Sequence, residues 1–183
     1  MRDQLATPAG LTLRRWEDAD ADAVLVAFAP AEMVRQSGRP ISDEADALLW
    51  LGDRRRDWEA GTAYSWAVVD HQAVVVGSVT VSAVDRRHDT GWVSYWTTES
   101  ARGRGVAAVA TGALSVWAFE DLGLFRLELG HRTNNPASCR VAERAGFRVE
   151  GLERSKLRYG GTRYDVELHA RLATDPQPPL SPP

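Results

Sequence analysis

The chain has 183 residues, 44% of them hydrophobic and 26% charged, which fits one soluble globular domain with a single buried core. Its formal net charge of −3 excludes a general electrostatic attraction for nucleic acid or anionic membrane. No apolar run reaches the roughly 18 residues of a membrane span, and the start, Met1-Arg2-Asp3-Gln4, lacks an apolar signal core. A single cysteine, Cys139, rules out an internal disulfide or a cysteine-rich metal site, so the composition predicts a cytoplasmic, metal-free protein.

In chain order, residues 1–9 read as a flexible tail. Leu11-Thr12-Leu13-Arg14 alternates as a first strand. Asp18 and Asp20 are expected to cap a helix through Ala21–Ala29 that stops before Pro30. Ser42 is expected to open a second helix, with Asp43 and Glu44 in its first turn, Leu48, Leu49 and Leu51 on its apolar side, and an end near Gly61. Three strands follow: Tyr64–Val69, Ala73–Val84 and Trp92–Thr97.

From Gly105 to about Asp121 the pattern is helical and apolar nearly all round, which requires burial against a sheet. Arg126–Arg132 is a strand. Asn135-Pro136 opens a helix that Gly146 closes. Strands at 147–158 and 163–171 flank the hairpin turn Tyr159-Gly160-Gly161-Thr162. The proline-rich residues 173–183 read as a disordered tail. This order predicts an α/β fold with one mixed sheet and a single domain over residues 10–172. Seven tryptophans exceed what a core of this size needs; they fit an aromatic groove, with simple packing of most of them as the alternative.

The segment with chemical character is Arg102-Gly103-Arg104-Gly105, between a strand and a buried helix. A helix N-terminus offers unpaired amides and partial positive charge, glycines let a phosphate approach the backbone, and arginines add forked donors. The loop lacks the Lys-Ser/Thr of a triphosphate loop and the third glycine of a dinucleotide fold. A pyrophosphate-bearing ligand without tightly held Mg²⁺ is therefore expected.

Arg102-Gly103-Arg104-Gly105-Val106-Ala107 resembles the Gln/Arg-x-x-Gly-x-Gly/Ala signature of the GNAT acetyltransferases. Tyr95-Trp96, the run Ala118–Leu124 and Asn135-Pro136-Ala137-Ser138-Cys139 through Phe147 resemble the branch that acetylates ribosomal-protein N-termini. The opening Leu11–Trp16 and the closing Tyr164-Asp165-Val166 are also similar to it.

The resemblance implies a GNAT fold, a splayed central sheet of about seven strands with about four helices. It implies acetyl-CoA as co-substrate, its pantetheine beside Trp96 and Thr97 and its pyrophosphate on the amides of residues 104–107. It places Asn135 against the cofactor or the departing acetyl group and Ser138 at the coenzyme A sulfur. Cys139 reads as an apolar filler, since the expected route is direct attack of an amine on the thioester. Where relatives carry a glutamate on the strand before the loop this chain has Trp92, and where many carry a tyrosine acid it has Ala142. Glu128 and His131 are the substitute bases that the sequence offers. The acceptor expected is a protein N-terminal α-amine, with a small-molecule amine and a non-catalytic acyl-CoA-binding domain as alternatives; a homodimer is compatible with the resemblance.

Overall fold

The computed structural model describes residues 2–30, 32–34 and 39–178. Its eight strands are β1 (Gln4–Ala6), β2 (Thr12–Arg15), β3 (Tyr64–Val69), β4 (Val75–Asp85), β5 (Thr90–Thr97), β6 (Arg126–Arg132), β7 (Arg148–Tyr159) and β8 (Thr162–Leu172). The helices are α1 (Ala21–Phe28), α2 (Glu44–Ala60), α3 (Val106–Glu120) and α4 (Pro136–Arg144). They form the expected mixed α/β architecture around one sheet ordered β1-β2-β3-β4-β5-β6-β8-β7.

All neighbouring strands run antiparallel except β5 and β6, which are parallel. That parallel contact has only three residue pairs: Thr90↔Arg126, Gly91↔Leu127 and Trp92↔Glu128. Beyond Trp92, β5 stays bonded to β4 as far as Gly77↔Thr97, and β6 stays bonded to β8 as far as Arg132↔Val166. Each strand thus follows its outer neighbour, and the sheet opens between them.

Strand alternation distributes the two faces. Trp66 and Val68 of β3, Val79 and Val81 of β4, and Leu127 and Leu129 of β6 pack with Val109, Leu114 and Trp117 of α3. Ala67, Val69 and Val75 pack on the opposite face with Trp16, Val24, Phe28, Trp50 and Leu51, beneath α1 and α2. Six of the seven tryptophans (16, 50, 58, 66, 96 and 117) belong to these cores or pack against them, so the tryptophan content mainly reflects packing.

Several local expectations are corrected. Residues 4–6 are not a tail: they pair with β2, Leu5 is buried, and Arg2 bonds to Asp121 and Glu120 at the end of α3. This edge strand raises the count to eight. Asp20 does not cap α1, because its carboxylate is taken by Arg14 (2.7 and 2.8 Å) and the Glu17 amide. The cap of α2 is Asp43, which accepts from the Asp46 amide, and Ser42 instead donates to the Asp46 carboxylate. The buried side of α2 is Ala47, Trp50 and Leu51, leaving Leu48 and Leu49 exposed. Ala73 lies in a turn with φ 62°, so β4 starts at Val75. At the other end, Asp175 folds back onto the Leu172 amide and Pro178 lies against Gly146, while residues 179–183 lie outside the described residues.

Gly146 ends α4 with φ 84°, and Gly160-Gly161 turn the hairpin with φ 53° and 86°, as expected. Gly77 matters for the opening. A Cβ there would meet the Trp96 carbonyl oxygen at 2.5 Å, so only glycine lets β4 hold β5 beside the gap. Gly77→Ala is expected to destabilise the fold by about 2 kcal/mol, lowering Tm by roughly 4–8 °C. Thermal melting followed by circular dichroism checks this, and an unchanged Tm would show that β5 is held by other contacts.

Candidate active site

Where the β5–β6 pairing stops, a cleft of about 720 Å³ opens, within the usual range of small-molecule sites. It runs past the N-terminus of α3 and the first turn of α4. Trp96, Thr97, Arg102, Gly103, Gly105, Val106, Ala107, Asn135 and Ser138 all line it. Arg104 is the exception among the expected residues. Its amide is directed at the Ala101 carbonyl (3.4 Å) and its exposed side chain does not reach the cleft.

At one end of the cleft, Gly103 and Gly105 adopt φ 75° and 73°, the left-handed region that favours glycine. Gly105 is the N-cap of α3, and the amides of Val106, Ala107 and Ala108 in the first turn have no intrahelical acceptor. Arg102, Arg132, Arg140 and Arg144 line the same cleft. Glu32, 3.6 Å from Arg102, is the single carboxylate among the described lining residues. Arg140 and Arg144 make no ion pair among the described residues. An acidic chain thus gathers a strongly cationic cleft around open amides, which suits a phosphorylated ligand.

Deeper in, the first turn of α4 presents Asn135 and Ser138. Asn135 caps the helix: its Oδ1 accepts from the Ser138 amide (3.2 Å), while its Nδ2 donates to Ser138 Oγ (3.0 Å). With Oγ serving as an acceptor there, the Ser138 hydroxyl hydrogen is free for another partner. Tyr95 reaches across from β5, and its hydroxyl donates to the Ser138 carbonyl (3.2 Å), fixing the turn to the strand. Burial pushes the Tyr95 pKa above its ordinary value, so the phenol remains a donor at neutral pH. Open strand edge, phosphate cradle and donor pair together fit a long ligand with amide groups, a pyrophosphate and a reactive end.

The candidate bases fare differently. Glu128 does not line the cleft, and its carboxylate is held by Arg126 Nε at 2.6 Å. His131 lines the cleft, but Nδ1 lies 3.1 Å from the Arg132 carbonyl and Nε2 lies 2.9 Å from His169 Nε2. Both ring nitrogens are therefore engaged away from a reacting amine. Ala142 is fully buried and contributes only packing. Trp92 lies on the α1–α2 side of the sheet, against Gly130, where an added Cβ would stand 3.1 Å from its ring.

From the sequence, Tyr95 enters only through the resemblance, with no role, and Arg140 and Arg144 carry none. The i,i+4 spacing of the two arginines on an amphipathic helix was the one available signal.

The acetyltransferase (GNAT) domain family matches residues 10–148, and the chain belongs to that family. It is 30% identical over 102 residues to "Probable N-acetyltransferase YjcK" of Bacillus subtilis (55% of this chain, 56% of that protein). It is also 30% identical over 98 residues to the ribosomal-protein-serine acetyltransferase of Escherichia coli (54% and 55%). The aligned stretch covers about half of each of these two curated relatives. Among solved structures, Mycobacterium smegmatis RimJ in complex with CoA-disulfide superposes with a TM-score of 0.77 at 26% identity, covering 93% of this chain and 86% of that one.

Asn135→Ala removes both the cap and the hydrogen bond to Ser138 Oγ. We expect a loss of about 1 kcal/mol, read as a lower urea midpoint with unchanged slope. An unshifted midpoint would mean that Asn135 does not hold the turn.

Proposed function

We propose that this GNAT acetyltransferase uses acetyl-CoA to acetylate the α-amine of a protein N-terminus. Bound acetyl-CoA supplies an activated acetyl thioester. The observation that carries the reading is the Asn135–Ser138 pair at the waist of the opened sheet, beside the glycine cradle. The amides of residues 106–108, with Arg102, Arg140 and Arg144, bind the phosphates. The free edge of β5 at Trp96 and Thr97 aligns the pantetheine arm. The amine nitrogen bonds to the thioester carbonyl carbon, the C–S bond breaks, and the proton given up by nitrogen ends on the departing sulfur or in solvent. Ser138 steadies that sulfur by a hydrogen bond from its hydroxyl, and Asn135 holds the hydroxyl in place.

The proton balance favours an α-amine. Trp92 cannot accept a proton, Glu128 is paired with Arg126, and Glu32 stands by Arg102. An acceptor must then arrive largely neutral. An α-amine, with pKa near 8, is neutral several hundred times more often at pH 7 than a lysine side chain with pKa near 10.4. The acceptor side of the cleft also opposes polycations. Arg132 stacks over Tyr159 (5.5 Å) and Tyr164 (5.1 Å), and Lys156 stands 5.7 Å from the Trp92 ring. A small apolar or aromatic amine is the second reading, favoured by Trp92, Met33 and Leu157 along the lining.

The test offers the enzyme acetyl-CoA with a peptide carrying a free N-terminus and one lysine, beside spermidine and a small aromatic amine. Mass spectrometry should find the acetyl group on the peptide N-terminus. Transfer to the aromatic amine alone would select the second reading, and no transfer to any amine would reduce the protein to an acyl-CoA binder. Because the amine must lose its proton first, kcat/KM should rise with pH up to about 8 and then level off. A flat profile from pH 6 to 9 would contradict an unaided neutral amine.

Two substitutions separate binding from chemistry. Ser138→Ala should lower kcat roughly ten- to hundredfold while leaving acetyl-CoA affinity nearly unchanged. Gly105→Trp strains a residue at φ 73° and fills the cradle, so acetyl-CoA binding should be lost. Wild-type turnover in the first or wild-type affinity in the second would remove that residue from its role.

A further inference from the structure

On the α4 face of the sheet, just behind the cleft, four potential metal ligands from three elements converge. They are His131 on β6, Glu167 and His169 on β8, and Cys139 on α4. His131 and Glu167 are register partners across β6–β8, and His169 lies two residues further along β8 on the same face. His131 Nε2 stands 2.9 Å from His169 Nε2 and 3.4 Å from Glu167 Oε1. Glu167 Oε1 is 3.0 Å from His169 Nε2 and 3.6 Å from Cys139 Sγ. All four ligand atoms lie within 4.8 Å of one another, and both imidazoles are buried.

We propose that these four side chains form a tetrahedral site for a divalent transition-metal ion of the zinc type. Tetrahedral bonds of about 2.0–2.3 Å put neighbouring ligand atoms roughly 3.3–3.7 Å apart. The observed separations bracket that range, so small side-chain movements suffice. Imidazole nitrogen, thiolate sulfur and carboxylate oxygen are all ligand types that zinc takes, and the four side chains supply one ligand atom each.

The charges also close. A dication is neutralised by one thiolate and one carboxylate, with both imidazoles neutral, so no uncompensated charge is left in a buried place. The tautomer of His131 is already suitable. Its Nδ1–H donates to the Arg132 carbonyl, which turns the Nε2 lone pair toward the cluster. In the ion-free cluster His169 Nε2–H donates to His131 Nε2 and Glu167. On binding, Cys139 releases its proton to solvent and His169 carries its hydrogen on Nδ1, a buried atom with no hydrogen-bond partner among the described residues.

The site ties α4 to β6 and β8 next to the reaction centre. Cys139 directly follows Ser138, and His131 lines the cleft. The bound ion therefore acts as a structural clamp on the turn that holds Asn135 and Ser138. A single cysteine suffices for this site, because its other three ligands come from distant parts of the sequence.

The test uses full-length protein stripped with a chelator and then titrated with Zn²⁺ in competition with a chromophoric chelator, and separately with Co²⁺. The expected result is one ion per chain, a thiolate-to-cobalt charge-transfer absorption band, and a Tm several degrees higher with Zn²⁺. Cys139→Ser should keep the Tm of the stripped wild type, lose the band, and bind Zn²⁺ at least about tenfold more weakly. Glu167→Gln, of nearly the same shape, should weaken Zn²⁺ to a similar degree. The absence of the band in folded wild type would overturn the proposal. So would Zn²⁺ affinity that neither substitution changes. These readouts are independent of turnover, so failure here leaves the acetyltransferase reading standing.

Discussion

Everything at the candidate site depends on one constraint: β5 and β6 pair for three residues and then part. A broken contact inside a sheet normally leaves backbone groups unpaired at a cost. Here each strand is secured on its outer side, β5 by β4 and β6 by β8, so the opening is stable without collapse. Gly77 allows β4 to approach β5 closely, and Gly130 leaves room for the Trp92 ring on the other side of the gap. The unpaired edges become a binding surface, and a ligand with amide groups can complete the interrupted pairing.

The two helices that flank the opening complete it differently. α3 is apolar on nearly every side and anchored by Leu114 and Trp117, so its position is set by the core and its N-terminus is left facing the cleft. α4 is held at its first turn by Tyr95 from the strand and by Asn135 from its own cap. Positive charge enters from both: Arg102 before α3, and Arg140 and Arg144 on α4. A protein with net charge −3 thus concentrates cationic groups where a phosphorylated ligand would lie.

Much of this was legible before the structure. The buried helix after Gly105, the Asn135-Pro136 start and the Gly160-Gly161 hairpin each have a local physical cause, and each stands where the residues put it. The features that local sequence does not show are those set by partners distant in the chain. Asp20 looked like a cap until Arg14 took its carboxylate, and Leu48 and Leu49 looked buried until the face of α2 was set by Trp50. The first residues looked unstructured because three residues carry little periodicity, yet they find an edge to pair with. His131 shows the same limit: a suitable residue in the right strand, with both ring nitrogens turned to other partners.

The central claim is that the opened sheet and the Gly105 cradle form an acetyl-CoA site. Calorimetric titration of the folded protein with acetyl-CoA, with ATP and NAD as controls, tests it most directly. The account predicts one-to-one binding of acetyl-CoA at about micromolar Kd, with neither control binding comparably. Failure of acetyl-CoA to bind, or equal binding of all three, would contradict it.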